Sequence, residues 1–264
     1  MVDIALLIEE EVKRVQEEVD KEVIGAESAL LGLLLKYSSE SEQDVVNDNG
    51  ETEKQSRTTV GSNKERQMLR DIDKLKNDLS NEFYESVTAG IESAIALTAT
   101  YMATELGYKN KYKLNAQKSF IEKVIVGDRT LRQSVDIAMT NMFYDIERAI
   151  KSGIIGNVDI SVVSKEVQKF INSNKYHLDT IVLSEIFTAY RLQGGITHEK
   201  NGYTWVKIHE HFPRHPNRKR HKCYELAHID KYGKGLGVYK TSDSIVYFPH
   251  PNCTSWIEFL KEVD

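Results

Sequence analysis

Apolar residues recur every three or four positions through the first 37 residues, with glutamates and lysines between them. The repeating positions are Ile4, Ile8, Val12, Val15, Val19 and Val23. This spacing places the apolar side chains on one face of a helix, so we predict a long amphipathic helix over residues 1–37. Such a stripe fits packing on the rest of the chain or docking on another chain.

The pattern stops in residues 38–63, where serine, glutamate, asparagine and aspartate dominate. Little apolar surface returns before Met68. A segment this polar lacks the side chains that form a core, so we predict a flexible linker or an exposed loop. Its length indicates that the first helix is tethered and does not form a tight hairpin with the next one.

Helical spacing returns in residues 64–196, which we predict to be a helical body. Its four predicted helices are at about 64–106, 128–152, 159–174 and 178–193. Small residues crowd the later half of the first of these, which favours close packing of helices. Gly153 suits the position just after a helix end. The pair Gly194-Gly195 is expected to end the last helix.

After Gly195 the pattern changes to the alternation typical of strands. Residues 203–208 alternate in this way, and 238–239 and 245–248 are further candidate strands. We therefore predict a small α+β module at residues 197–264. The fold class is α+β, a predominantly helical body with a long N-terminal helix and a small C-terminal β-containing module.

Composition narrows the class of protein. The apolar segments 30–35 and 87–106 are too short or carry charges, which predicts that the chain has no membrane segment. Two cysteines are too few for a disulfide framework and favour synthesis in a reducing, intracellular compartment.

Charge is distributed unevenly. Residues 1–53 hold fifteen acidic and four basic side chains, whereas residues 199–240 hold ten basic and four acidic ones. A basic loop within the second region contains Arg214, Arg218, Lys219, Arg220 and Lys222. These side chains are candidate contacts for DNA phosphates or for an acidic protein surface, and a solvated face without a partner also fits. Nearby tyrosines fit either stacking on bases or the core of the module.

Histidines and cysteines concentrate in the C-terminal module. Six of the eight histidines lie between residues 209 and 250. The best candidate zinc ligands are Cys223, His250 and Cys253, with His221 or His228 as the fourth. A structural zinc ion would stabilise a module that buries little apolar surface. The alternative is that both cysteines are core residues without a metal.

The order of motifs in the module resembles a known family. A Trp205-Val206 strand is followed by Cys223, a glycine-rich stretch and His250-Pro251-Asn252-Cys253. This order resembles the Mu F-like head-morphogenesis family of tailed bacteriophages, also called minor capsid proteins. The resemblance covers about residues 120–264. Many members carry C-x-x-C where this chain has Cys223 alone, with Arg220 in the other position.

The resemblance implies a non-enzymatic structural protein of the virion. Such proteins are made in the host cytoplasm, lie in the capsid interior in several copies, and associate with the portal protein. They assist assembly and the packaging or ejection of DNA. The residues alone leave one enzymatic alternative, a metal-dependent nuclease that uses the His/Cys-rich C-terminal module.

Overall fold

A computed structural model describes residues 4–46, 49, 52–60, 62–109, 129–210 and 221–262. Its helices are α1 Ile4–Tyr37, α2 Glu65–Thr104, α3 Leu131–Ile155, α4 Ile160–Lys200 and the short α5 Lys222–Ala227. Its strands are β1 Ser38–Val46, β2 Thr52–Val60, β3 Trp205–His209, β4 Val238–Lys240 and β5 Trp256–Leu260. The fold is therefore α+β and mostly helical, as predicted.

The apolar stripe of α1 is buried along its whole length. Each of its six predicted members, from Ile4 to Val23, is at most 6% exposed. The stripe continues through Leu30 and Leu34, both 1% exposed. The helical period read from the sequence therefore identifies the face that α1 buries.

A β-hairpin occupies the segment that we expected to be a flexible linker. Strands β1 and β2 pair antiparallel, from Ser38 opposite Val60 to Val46 opposite Thr52. Polar composition predicted a linker because such a segment cannot form a core. Antiparallel pairing nevertheless satisfies the backbone N–H and C=O groups of a polar strand without needing apolar side chains.

Two compact units make up the chain. One contains residues 1–18, 84–134 and 179–264, and the other contains residues 19–83 and 135–178. These units differ from the predicted segments 1–37, 38–63, 64–196 and 197–264, because helices α1, α2, α3 and α4 each contribute to both. Amphipathic spacing predicts the residues that form a helix. It does not predict which compact unit each part of that helix belongs to.

The unit of residues 19–83 and 135–178 contains the hairpin. Asp159 precedes α4 and accepts hydrogen bonds from the Ser161 amide at 2.9 Å and hydroxyl at 2.6 Å. Its second oxygen accepts the backbone N–H of Thr58 in β2 at 3.2 Å. One carboxylate therefore caps the N-terminus of α4 and holds the hairpin to it.

The other unit contains a three-stranded antiparallel sheet with the strand order β4-β3-β5. Helix α4 packs on this sheet through Gly194 and Gly195, which do not end the helix as we predicted. A Cβ atom on Gly194 would overlap the ring of Phe259, and one on Gly195 would overlap the ring of Tyr247. The glycines are needed for this close approach, and α4 runs on to Lys200 as one helix in place of the two predicted.

Two further local predictions were wrong. Gly153 lies inside α3, where a Cβ atom would overlap the side chain of Val163. It therefore serves packing and not termination. The segment predicted as a strand at 245–248 begins within a 3-10 turn, Ser244–Val246, and the third strand of the sheet is β5.

Candidate metal centre

Four side chains from two stretches of the C-terminal region meet at one place. His221 is the N-cap residue of α5 and Cys223 lies in its first turn. His250 and Cys253 flank a turn before β5, in which Asn252 adopts a positive φ of 59°. The local backbone therefore places a histidine and a cysteine from each stretch side by side.

The donor atoms are close enough to share an ion. Nε2 of His250 lies 3.1 Å from Sγ of Cys223. The ligand atoms of His221, Cys223 and His250 all lie within 4.8 Å of one another. Cys253 lies close enough to Cys223 and His250 to influence the pKa of each, and its sulfur lies 3.1 Å from Oγ of Ser255. The structure brings together three of the four predicted ligands, His221, Cys223 and His250, and Cys253 lies beside this group without belonging to it.

The ring of His250 is oriented for a ligand role. Its Nδ1 lies 2.7 Å from the carbonyl oxygen of Pro251. A carbonyl only accepts, so Nδ1 carries the hydrogen and, in the neutral ring, Nε2 presents its lone pair to the cysteines. A histidine that binds a metal commonly donates its other N–H to a backbone carbonyl in this way.

His228, the alternative fourth ligand, is engaged elsewhere. Its Nδ1 lies 2.8 Å from the carbonyl oxygen of Tyr224, and the two rings stack with centroids 4.0 Å apart. Its Nε2 lies 3.7 Å from Glu210. The geometry therefore favours His221 over His228 as the fourth donor.

A buried arginine that was not predicted from the sequence holds the backbone next to the site. Arg191 of α4 is fully buried. Its Nε donates to the carbonyl oxygen of Tyr247 at 2.7 Å, and its Nη1 donates to that of Ser255 at 2.8 Å. Its Nη2 has no hydrogen-bond partner within the described ranges. The arginine thus fixes the backbone on both sides of Cys253.

A signal for this arginine was present in the sequence. Seven of the ten residues 181–190 are apolar and they are distributed around the whole helix, which is typical of a helix buried all round. A charged residue within or next to such a helix must be buried with it. Arg191 and Glu185 both meet this description.

The electrostatics of the cysteine pair favour one thiolate. A hydrogen bond from Cys223 lowers the pKa of Cys253, and the positive charge of Arg191 acts in the same direction. The same hydrogen bond, together with burial, raises the pKa of Cys223. The pair therefore carries its first negative charge on Cys253, next to the buried guanidinium.

These donors fit a metal of the zinc type. Two sulfur and two nitrogen donors are a common structural zinc set, and tetrahedral bonds of about 2.0–2.3 Å put neighbouring ligand atoms roughly 3.3–3.8 Å apart. The 3.1 Å separation of His250 and Cys223 is within a few tenths of an ångström of that range. The group of His221, Cys223 and His250 could bind a metal.

The basic loop is mostly beyond what the structure describes. Arg214, Arg218, Lys219 and Arg220 lie outside the described residues. Lys222 is the first residue of α5 and forms an ion pair with Glu225 at 3.0 Å. The structure therefore places one of the five predicted contact residues, at the edge of the metal group.

Among the described helices, none is both long enough and apolar enough to span a bilayer. No protein-family model matches the chain, and no curated protein or solved structure is significantly similar to it.

Proposed function

We propose that the chain is a non-enzymatic minor head protein of a tailed bacteriophage, associated with the portal protein inside the capsid. Its C-terminal region would act by adhesion, and a bound zinc ion would hold that region together. One observation carries the proposal. The motifs that carry the family resemblance are separated in sequence but lie in one compact unit. They are the Trp205-Val206 strand, Cys223 and the His250–Cys253 turn.

The donor set supports a structural metal over a catalytic one. A catalytic zinc site keeps one position open for water or substrate, whereas a structural site uses four protein ligands. Three donors, from His221, Cys223 and His250, are already clustered, and Cys253 beside them would be the fourth. A zinc ion bound by all four would have no free position at which to activate water, which disfavours the nuclease alternative.

A structural role for zinc follows from the size of the surrounding core. The β4 strand is three residues long, and α5 has six residues. Elements this short bury little apolar surface, and metal binding adds folding free energy directly. The ion would join α5 to the turn before β5. Its ligands in these two places, Cys223 and His250, are 27 residues apart along the chain.

Metal content tests the zinc part of this proposal. The full chain, purified under reducing conditions without chelator, should contain about one zinc ion. Cys253→Ser and His221→Ala should each lower that content well below one per chain. His228→Ala is the matched control, because its ring is engaged by Tyr224, and it should keep the metal. Wild-type protein that contains no zinc and does not take up Co²⁺ would contradict the assignment.

Particle composition tests the virion part. Quantitative mass spectrometry of DNA-filled particles from the phage or prophage that encodes the chain should detect it at several copies per virion. Pull-down of the portal protein encoded by the same genome should recover the chain. Its absence from purified particles would overturn the proposal. A plasmid-nicking assay with Mg²⁺, Mn²⁺ or Zn²⁺ should show no cleavage, and cleavage that depends on His250 would favour the nuclease.

A further inference from the structure

The two faces of the three-stranded sheet differ in chemistry. Alternate residues of β3 and β5 are buried, namely Val206, Ile208, Ile257 and Phe259. The intervening residues therefore lie on the opposite face, together with their cross-strand partners. This outer sheet face comprises Trp205, Lys207, His209, Val238, Lys240, Trp256, Glu258 and Leu260, of which Val238 alone is buried.

Both tryptophans of the chain lie on this outer sheet face and are partly exposed. Trp256 stacks flat on its cross-strand partner His209, with centroids 3.9 Å apart and planes 6° apart. Trp205 meets the ring of Tyr232 edge-on, with centroids 5.5 Å apart. Two aromatic pairs therefore stand at opposite ends of β3 on one accessible surface.

Lysine side chains lie close to the aromatic residues of this face. Nζ of Lys231 lies 5.1 Å and Nζ of Lys240 lies 5.2 Å from the centre of the Tyr232 ring. Lys207 lies on β3 between Trp205 and His209. Neither Lys207 nor Lys240 forms an ion pair with any residue that the structure describes.

The acidic groups near the face each contact a neighbouring side chain. Glu258 lies 2.9 Å from Nε2 of His209. Asp243 binds Lys231 at 3.2 Å and the Tyr232 hydroxyl at 2.9 Å. The outer sheet face therefore presents aromatic rings beside Lys207 and Lys240, which have no ion-pair partner among the described residues.

We propose that the outer sheet face binds single-stranded nucleic acid. Residues two apart on a strand are about 6.7 Å apart, so Trp205 and His209 stand roughly 13 Å apart with Lys207 midway. Bases stacked at the two aromatic ends would place the intervening backbone phosphates over Lys207. Aromatic stacking accepts any base because every base has a π-face, so we expect little sequence preference.

Single strands fit this surface better than duplex DNA. A duplex keeps its base faces stacked inside the helix and can offer only phosphates and groove edges to the rings. Aromatic side chains on a sheet are a recurring way to bind unpaired bases. The inference does not depend on the virion proposal, because it rests on the sheet alone.

Intrinsic fluorescence offers a direct test, because every tryptophan of the chain is on the proposed surface. Titration of the full chain with a deoxythymidine oligomer of about 16 nucleotides should quench the emission to saturation. The apparent affinity should fall as salt rises, because lysines that bind phosphates release counterions. The double variant Lys207→Glu with Lys240→Glu should bind at least about tenfold more weakly.

A matched control separates the surface from general charge. Lys169→Glu changes a lysine of α4 that is 71% exposed and lies outside the sheet, so it should leave binding unchanged. Unchanged circular dichroism would show that each variant is folded. A Trp256→Phe variant should keep most of the affinity and lose part of the quenching.

Three results would overturn the inference. The first is no quenching by the oligomer at low salt. The second is equal binding and equal quenching by a duplex of the same charge, which would indicate an electrostatic patch only. The third is quenching by poly-glutamate that competes with the oligomer, which would indicate an acidic protein partner. Particle analysis remains a separate measurement, so the two proposals can fail independently.

Discussion

Gly195 of α4 packs directly against the ring of Tyr247, so that a single added methyl group would overlap the tyrosine hydroxyl. That hydroxyl cannot easily move away, because it donates to the carbonyl oxygen of Thr241 at 2.6 Å. The helix therefore approaches the turn before β5 as closely as a backbone without a side chain allows.

Gly195→Ala should destabilise the protein despite the better helix propensity of alanine. The gain of up to about 1 kcal/mol from propensity is outweighed by overpacking, which costs roughly 1–3 kcal/mol. Denaturant unfolding should show a lower midpoint. Gly32→Ala in α1 is the control, because a Cβ atom there meets nothing within 4 Å. That variant should be as stable as wild type or more so, and a stabilised Gly195→Ala would contradict the packing.

Burial of Glu185 should make stability depend on pH. The carboxyl is 3% exposed, and desolvation raises its pKa from 4.5 to about 8. The unfolded chain loses this proton near pH 4.5 while the folded chain keeps it. The contribution to stability is therefore complete below pH 4.5 and is lost as pH rises towards 8, by roughly 5 kcal/mol in all.

Glu185→Gln should remove this dependence. Unfolding in denaturant at pH 5 and pH 8 should show a gap between the variant and wild type that widens in favour of the variant at pH 8. The exposed Glu105→Gln should follow the wild-type chain at both values. A gap that is the same at both pH values would show that Glu185 is ionised in the folded protein.

Asp159→Ala should loosen the hairpin as well as the start of α4. Hydrogen bonding by Ser161 lowers the pKa of Asp159, so the acceptor is a carboxylate at neutral pH. Loss of the carboxylate removes the acceptor of the Thr58 amide, and hydrogen exchange at that amide should become faster. Asp159→Asn keeps one acceptor oxygen and should give an intermediate rate. Unchanged exchange at Thr58 in the alanine variant would contradict the link.

Arg191→Lys should destabilise the protein even though the charge is kept. A lysine cannot reach the carbonyl oxygens of Tyr247 and Ser255 at the same time, so buried acceptors lose their donors. We expect a loss of about 3 kcal/mol in the free energy of unfolding. Arg70→Lys, an exposed change in α2, is the control. Equal unfolding midpoints for wild type and Arg191→Lys would argue against the role of the guanidinium.

The sequence predicted the features that depend on local periodicity. The stripe of α1 and the buried positions of β3 follow directly from spacings of three or four residues and of two. The four metal candidates could be found because cysteine and histidine are uncommon and their chemistry is specific. The fourth ligand stayed open, because only the folded chain shows that His228 binds the carbonyl of Tyr224.

What could not be predicted depends on tertiary contact. Two adjacent glycines are typical of a helix end, so Gly194 and Gly195 predicted one. Only the folded chain shows that a glycine is needed inside the helix, because the ring of Phe259 packs against Gly194. The hairpin was missed because hydropathy carries no information about backbone pairing in polar strands. Strand β5 was missed because Trp256 and Leu260 hide its alternation by being apolar on the outer face as well.

The bonds of Arg191 limit how this protein can be divided or recombined. The guanidinium belongs to α4, while its acceptors lie 56 and 64 residues further along the chain. A fragment that starts after the helix would leave those carbonyl groups in a dry interior without donors. Natural exchange of the C-terminal sheet between genes would therefore have to take with it the part of α4 that contains Arg191.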